Sequence, residues 1–150
     1  MIKKPKILPP VFLGISIAVM LALHWVLPIR ILIHEPYNRL GIALLAMGLT
    51  ITFASAGLFK TRGTPVKPFE TPKVLVTDGF YKITRNPMYL GMVIALVGAA
   101  VRLGSLSAFI PIPVFINWIR RQYIEREEVF LEGIFGQAYL DYKARVRRWL

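Results

Sequence analysis

Four stretches nearly free of charge divide this chain, 7–29, 40–59, 88–101 and 103–119, and each has to be kept from water. The first two are long enough to cross a hydrocarbon core of ~30 Å, which takes roughly 20 helical residues. A backbone inside that core must satisfy its own N–H and C=O groups, and an α-helix does so within one segment. The third stretch is short. It ends at Arg102, whose side chain can snorkel to a headgroup, and Gly104-Ser105 then offers a tight turn into the fourth. Residues 88–119 therefore read as a helical hairpin, with a single re-entrant third segment as the competing arrangement. With 55% hydrophobic residues among 150, the chain has one domain's worth of length and is too apolar for an ordinary soluble domain. The expected fold is an all-α integral membrane protein with about four transmembrane helices, at about 9–28, 39–59, 87–103 and 105–121, joined by a cytoplasmic loop at 60–87 and followed by a cytoplasmic tail at 122–150.

A net charge of +11 would suggest nucleic acid in a soluble protein, so the placement of the basic residues decides the matter. With both termini and the 60–87 loop in the cytoplasm, all 19 lysines and arginines except Arg30, Arg39 and Arg102 fall on that side. This group includes Lys3, Lys4 and Lys6 ahead of the first span. The positive-inside bias thus predicts a multi-pass protein, in the inner membrane if bacterial, and contact with the lipid bilayer accounts for the basicity without nucleic acid. Met1-Ile-Lys-Lys-Pro-Lys6 before an apolar run mimics a secretory signal, but no Ala-x-Ala-like site closes it, so it reads as a retained first span. The chain has no cysteine, which excludes disulfides, thiol catalysis and cysteine metal sites. His24 and His34 lack a metal-ligand spacing, and no metal is expected.

Within the spans, Gly41, Gly48 and Gly57 in the second and Gly91, Ala95 and Ala99 in the third are small residues that let helices approach closely in lipid. Pro111 and Pro113 predict a kink or local unwinding of the fourth. In the 60–87 loop, Pro65, Pro68 and Pro72 forbid a regular helix and Asp78-Gly79 signals a turn. Ordered loops of this length are commonly functional. Residues 120–132 read as helix leaving the membrane, broken at Gly133 and Gly136. Tyr139, Tyr142, Val146 and Trp149 then share one face, with Lys143, Arg145, Arg147 and Arg148 toward headgroups, which predicts a final amphipathic helix anchored at the interface.

The residues Thr84-Arg85-Asn86-Pro87-Met88-Tyr89-Leu90-Gly91 stand where the loop re-enters the membrane. Counted from the hairpin tip near Gly104, Tyr89 lies 15 residues back and Arg120 lies 16 forward, so Glu127-Glu128 emerge near the level of Arg85. A salt bridge stapling helix ends would explain Arg85 alone, and the acidic pair alone could be a solvated face. Pro87 suits the first turn of a helix, with Asn86 or Thr84 as cap. Together, two carboxylates, the rings of Tyr81, Tyr89 and Tyr123, helix N-terminal amides and a proline-rich cover suit a zwitterionic, partly cationic ligand. A carboxylate would take its ammonium, Arg85 or the amides its carboxylate, and an aromatic face its cationic centre. S-adenosylmethionine has that chemistry.

The run LVTDGFYKITRNPMYLG at 75–91, EE at 127–128 and FGQAYLDYKARV at 135–146 resemble the isoprenylcysteine carboxyl methyltransferase family of integral membrane methyltransferases and the related phospholipid methyltransferases. The resemblance covers roughly the C-terminal half, from about Lys73. Arg-x-Pro-x-Tyr-x-Gly is shared with membrane sterol reductases that use NADPH, while the acidic pair followed by Phe-Gly favours methyl transfer. The resemblance implies a pocket for S-adenosylmethionine, with S-adenosylhomocysteine as product, formed by Lys73, Val74, Leu75, Val76, Tyr81, Asn86, Pro87, Met88, Tyr89 and Glu127. Arg85 and Glu128 would be catalytic, orienting the site or handling a proton. Histidine is the family's usual residue at 86; asparagine keeps a donor and an acceptor but loses titration near neutrality. The prenylcysteine enzymes carry a substrate-binding arginine where this chain has Tyr123, and Arg120 and Arg121 are the nearby substitutes. The expected function is methyl transfer to a lipid-soluble or prenylcysteine-like acceptor. Two alternatives share the same fold: an NADPH-dependent reductase, and a small non-enzymatic membrane subunit whose charged cluster staples helices.

Overall fold

The computed structural model describes Pro5 and residues 7–150; Lys3, Lys4 and Lys6 lie outside the described residues. Helices α1 (Pro9–Val26), α2 (Leu40–Thr61), α3 (Pro87–Leu103), α4 (Pro111–Ile119), α5 (Glu125–Phe135) and α6 (Gln137–Arg145) carry the fold. Among the described residues there is no strand, only an isolated bridge between Ile31 and Ser105. Two helical segments are long and apolar enough to cross a membrane, Pro9–Val26 and Tyr37–Thr61, with mean hydropathies of 1.8 and 2.0. α3 is apolar but shorter, at 17 residues.

α2 and α3 run antiparallel with their backbones in contact. A Cβ on Gly48 would stand 2.4 Å from the Ala95 nitrogen and 2.5 Å from the Gly91 oxygen, and one on Gly98 would stand 2.3 Å from the Leu45 nitrogen. The Thr52 hydroxyl lies 3.2 Å from the Met88 carbonyl that it donates to, tying α2 to the first turn of α3. The expected small-residue stripe is corrected in part. Gly91 and Ala95 do face α2, but Gly98 rather than Ala99 continues the contact, and Gly57 has nothing within 4 Å. The reason is helical phase: seven residues fall ~20° short of two turns, whereas eight overshoot by ~80°.

α3 ends at Gly104 with φ 75, where an added Cβ would lie 2.2 Å from the Ile33 oxygen. Such a position suits only glycine. The N–H groups of Leu32 and Ile33 both donate to the Gly104 carbonyl, at 2.7 and 3.1 Å, fixing the α1–α2 connection to this tip. The chain reverses through a 3-10 turn, Leu106–Phe109, into α4. Pro111 and Pro113 fall in the first turn of α4, where backbone N–H groups have no helical acceptor anyway, so the expected kink gives way to a helix start.

α4 does not stop at Ile119. Arg120–Ile124 widen into one π-helical turn, with the Glu125 N–H donating to the Arg120 carbonyl, and α5 continues the same rod. Phe115 and Ile119 on this rod pack with Met20 of α1 and Leu96 of α3 in the buried core. Phe12 of α1 stacks on Trp118 at a centroid distance of 3.9 Å. Gly133 does not interrupt α5, which runs to Phe135 and breaks at Gly136.

Candidate functional site

A cleft lies where the proline-rich loop meets the first turn of α3 and one face of α5 and α6. It holds about 830 Å³ not filled by atoms, solvent mouth included. Of the residues predicted from sequence, Val74, Leu75, Val76, Tyr81, Arg85, Asn86, Met88, Tyr89, Glu127 and Glu128 all line it. The hairpin geometry is what joins them: the Tyr89 hydroxyl lies 3.1 Å from each Glu127 oxygen, and Arg85 Nη2 lies 2.9 Å from Glu128 Oε1.

The remaining predicted residues lie elsewhere. The Lys73 N–H donates to Thr64 Oγ1 at 3.0 Å and so shapes the loop rather than the cleft wall. Pro87 is buried in the first turn of α3. Tyr123 is buried behind Tyr89, with ring centroids 6.1 Å apart, and its hydroxyl donates to the Ile7 carbonyl at 2.6 Å. Arg120 donates to Asn117 Oδ1 at 3.2 Å, and Arg121 sits in a shallow groove on the α4 flank with Pro113 and Trp118.

Neighbouring positions on a helix point about 100° apart, so Glu127 and Glu128 meet different surroundings. Glu128, with its side chain 8% exposed, accepts from Arg85 Nη2 at 2.9 Å and from Arg148 Nε and Nη2 at 3.0 and 2.7 Å. Glu127 faces the cleft, and among the described residues its hydrogen bonds come from the Tyr89 hydroxyl rather than from a cation. Burial lifts its carboxyl to about 7, against the opposing pull of the Tyr89 bond. Two further polar atoms of cleft-lining residues are buried without a partner among the described residues, the Tyr81 hydroxyl and Arg85 Nε. Burial, reinforced by the nearby Glu127 charge, drives the Tyr81 phenol far above its ordinary range. Leaving such a group unpaired costs about 1–3 kcal/mol, so this wall has unused capacity for a polar ligand.

The last helix supplies a wall that the sequence pattern pointed elsewhere. Tyr139 and Tyr142, expected toward the membrane interface, are buried and line the cleft. The Tyr142 hydroxyl donates to the Tyr81 carbonyl at 2.7 Å, and burial together with the Glu128 charge pushes the Tyr139 phenol up to about 12. Beyond α6 the chain docks on the start of α3. The Arg85 N–H donates to the Arg147 carbonyl at 2.9 Å, and Thr84 Oγ1 and Asn86 Nδ2 both donate to the Arg148 carbonyl at 3.0 Å. Asn86 therefore spends its side chain on the tail, and neither it nor Thr84 makes a side-chain cap on α3. Periodicity marks which face of α6 is apolar but carries no signal for what covers that face.

Residues 37–138 match the phospholipid methyltransferase family. The chain belongs to that family. It is 38% identical over 116 residues to protein-S-isoprenylcysteine O-methyltransferase B of Arabidopsis thaliana, covering 75% of this chain and 58% of that protein. With the protein-S-isoprenylcysteine O-methyltransferase of Schizosaccharomyces pombe it shares 33% over 73 residues, 49% of this chain and 31% of the yeast protein. An uncharacterized protein of Haemophilus influenzae is 41% identical over 63 residues, all of that protein and 42% of this chain. This phospholipid methyltransferase family member thus spans little more than half the length of the plant relative and about a third of the yeast one. The family match ends at residue 138, just before Tyr139 and Tyr142, which line the cleft, and Arg148, which pairs with Glu128 behind it.

Proposed function

We propose that the chain is an integral membrane methyltransferase that uses S-adenosylmethionine from the cytoplasm and methylates a lipid-soluble or prenylcysteine-like acceptor. The observation that carries this reading is Glu127, a half-buried carboxylate that opens onto the cleft and whose hydrogen bonds, among the described residues, come from Tyr89 rather than from a cation. Glu127 would hold the ligand's ammonium, Arg85 Nε and the Tyr81 hydroxyl are free to donate to its carboxylate and ribose oxygens, and the surrounding rings offer a face to its positive sulfur. Bound there, S-adenosylmethionine supplies an electrophilic methyl group open to in-line displacement. The protein's part is then positioning and exclusion of water, which need no strong nucleophile from the chain. Glu128 already accepts three charge-assisted hydrogen bonds, so its role in this scheme is to orient Arg85 rather than to carry a proton. In the membrane the scheme uses four spans, α1, α2, α3 and the α4 half of the long rod. Both termini and the cleft lie on the cytoplasmic side, where the basic residues concentrate.

A thermal-shift measurement on the detergent-solubilised protein tests this. S-adenosylhomocysteine is expected to raise the melting temperature, by the equivalent of about 2.7 kcal/mol at one hundred times its Kd, and NADPH to leave it unchanged. A shift with NADPH alone would reassign the chain to the reductase reading, and no shift with either would favour a non-enzymatic subunit.

The affinity should also depend on pH in a defined direction. Glu127 attracts an ammonium only when ionised, and its carboxyl titrates at about 7 in the unliganded protein. S-adenosylhomocysteine binding should therefore strengthen as pH rises to about 7 and level off above it, weakening up to tenfold per unit below. The unliganded fold should respond oppositely. Its Glu127 pKa is raised above the unfolded value, so the stability tied to the neutral carboxyl is complete below the ordinary glutamate value of 4.5 and is lost as pH rises through about 7. Calorimetric titrations at about pH 6 and about pH 8 read the first effect, and melting curves without ligand read the second.

A further inference from the structure

We propose that Arg148 is a positioning residue of the cofactor cleft, acting through Glu128 and the 84–86 segment without lining the cleft itself. The inference rests on the methyltransferase reading above. Three features of the tail carry it. Arg148 approaches Glu128 side-on, with Nε on Oε1 and Nη2 on Oε2, so the plane of the carboxylate is fixed by two parallel bonds. The same Oε1 receives Arg85 Nη2, while Arg85 Nη1 donates to the Lys143 carbonyl at 3.2 Å. With both terminal nitrogens of Arg85 engaged, Nε is its one guanidinium nitrogen without a partner among the described residues, and Arg85 itself lines the cleft. Finally, the Arg147 and Arg148 carbonyls accept from Arg85 N–H, Thr84 Oγ1 and Asn86 Nδ2, so three consecutive residues at the cleft rim are fastened to the tail.

Charge supports the assignment. Two guanidinium groups share the Glu128 carboxylate where the Arg85 and Glu128 side chains are each 8% exposed, and Arg148 Nη1 also lies 3.9 Å from Glu125 Oε1. Sharing Glu128 with Arg148 leaves more of the Arg85 charge for an anionic group on the ligand at Nε, and without Arg148 the carboxylate would pair with Arg85 alone. A purely mechanical staple is a weaker explanation, because Arg148 is 35% exposed and a solvated ion pair adds little stability.

The test uses the full chain in detergent and titrates S-adenosylhomocysteine by calorimetry, with melting temperatures in parallel. Arg148→Gln is expected to weaken binding about tenfold, and Glu128→Gln/Arg148→Gln to bind no worse than Glu128→Gln alone, since the two act through one contact. Arg148→Lys should remain weakened, because an ammonium cannot reproduce the two parallel bonds. If Arg148→Gln is not recovered folded, Arg148→Lys carries the same comparison. Affinity within about twofold of wild type in the Arg148 variants, even with a lowered melting temperature, would reduce Arg148 to a staple and overturn the proposal. Losses that multiply in the double variant would overturn it too. Failure of the wild-type protein itself to bind S-adenosylhomocysteine would instead remove the methyltransferase reading, and the proposal with it.

Discussion

Glu127→Ala is expected to weaken S-adenosylhomocysteine binding by at least ~100-fold while the unliganded protein still folds. Truncating one partner of a buried hydrogen-bonded charge pair costs about 2–5 kcal/mol or more, and each 1.4 kcal/mol is a factor of about ten in Kd. Burial also penalises the charged carboxyl and lifts it to about 7, so its removal relieves the unliganded protein even as Tyr89 loses an acceptor. Melting temperature and affinity should therefore part company in this variant. Tyr81→Ala, which removes a cleft wall and its unpartnered hydroxyl, is the companion measurement. Wild-type affinity in both variants would dismiss the site assignment.

The second large effect lies far from any ligand. Gly48→Ala places a methyl 2.4 Å from the Ala95 nitrogen and 2.5 Å from the Gly91 oxygen, and both are backbone atoms that no rotamer change can move aside. α2 and α3 must separate to admit it, which costs about 3 kcal/mol or more, at or beyond the upper end of overpacking penalties. The separation would stretch the Thr52 bond to the Met88 carbonyl, in the turn from which Tyr89 reaches Glu127, so ligand affinity should fall along with the melting temperature. Gly57→Ala is the control: it meets nothing within 4 Å in the same helix, and alanine favours helix by about 1 kcal/mol over glycine. Equal melting temperatures for the two variants would contradict the close contact between α2 and α3.

Much of this arrangement was legible from the chain alone. Charge-free runs call for helices, and the count from Gly104 brought Arg85 and Tyr89 level with the acidic pair, where the 2.9 and 3.1 Å contacts are found. Less was legible where the deciding contact is tertiary. Gly98 escapes the pattern because a spacing of four looks regular in sequence, although seven keeps better phase with the helix. Tyr139 and Tyr142 look alike whether they face lipid or protein, and the pattern of α6 holds no information on which. Arg148 was hidden among Arg145, Arg147 and Lys143, since a basic run beside a membrane already has a sufficient reason to exist. Arg120 and Arg121 lie near the acidic pair in sequence but do not line the cleft: Arg120 donates to Asn117 Oδ1, and Arg121 sits in a groove on the α4 flank.

The wide turn between α4 and α5 has a consequence for the polarity of the ligand chamber. A π turn absorbs one residue more than an α turn, so everything beyond Ile124 stands one place behind an uninterrupted helix. Were the rod closed as plain α-helix, Glu127 would rotate by about 100° into the position that Glu128 occupies, and Arg126 would inherit the outlook onto the chamber. A cation would then greet a cation. One residue of slack sets the sign of the charge presented to whatever enters.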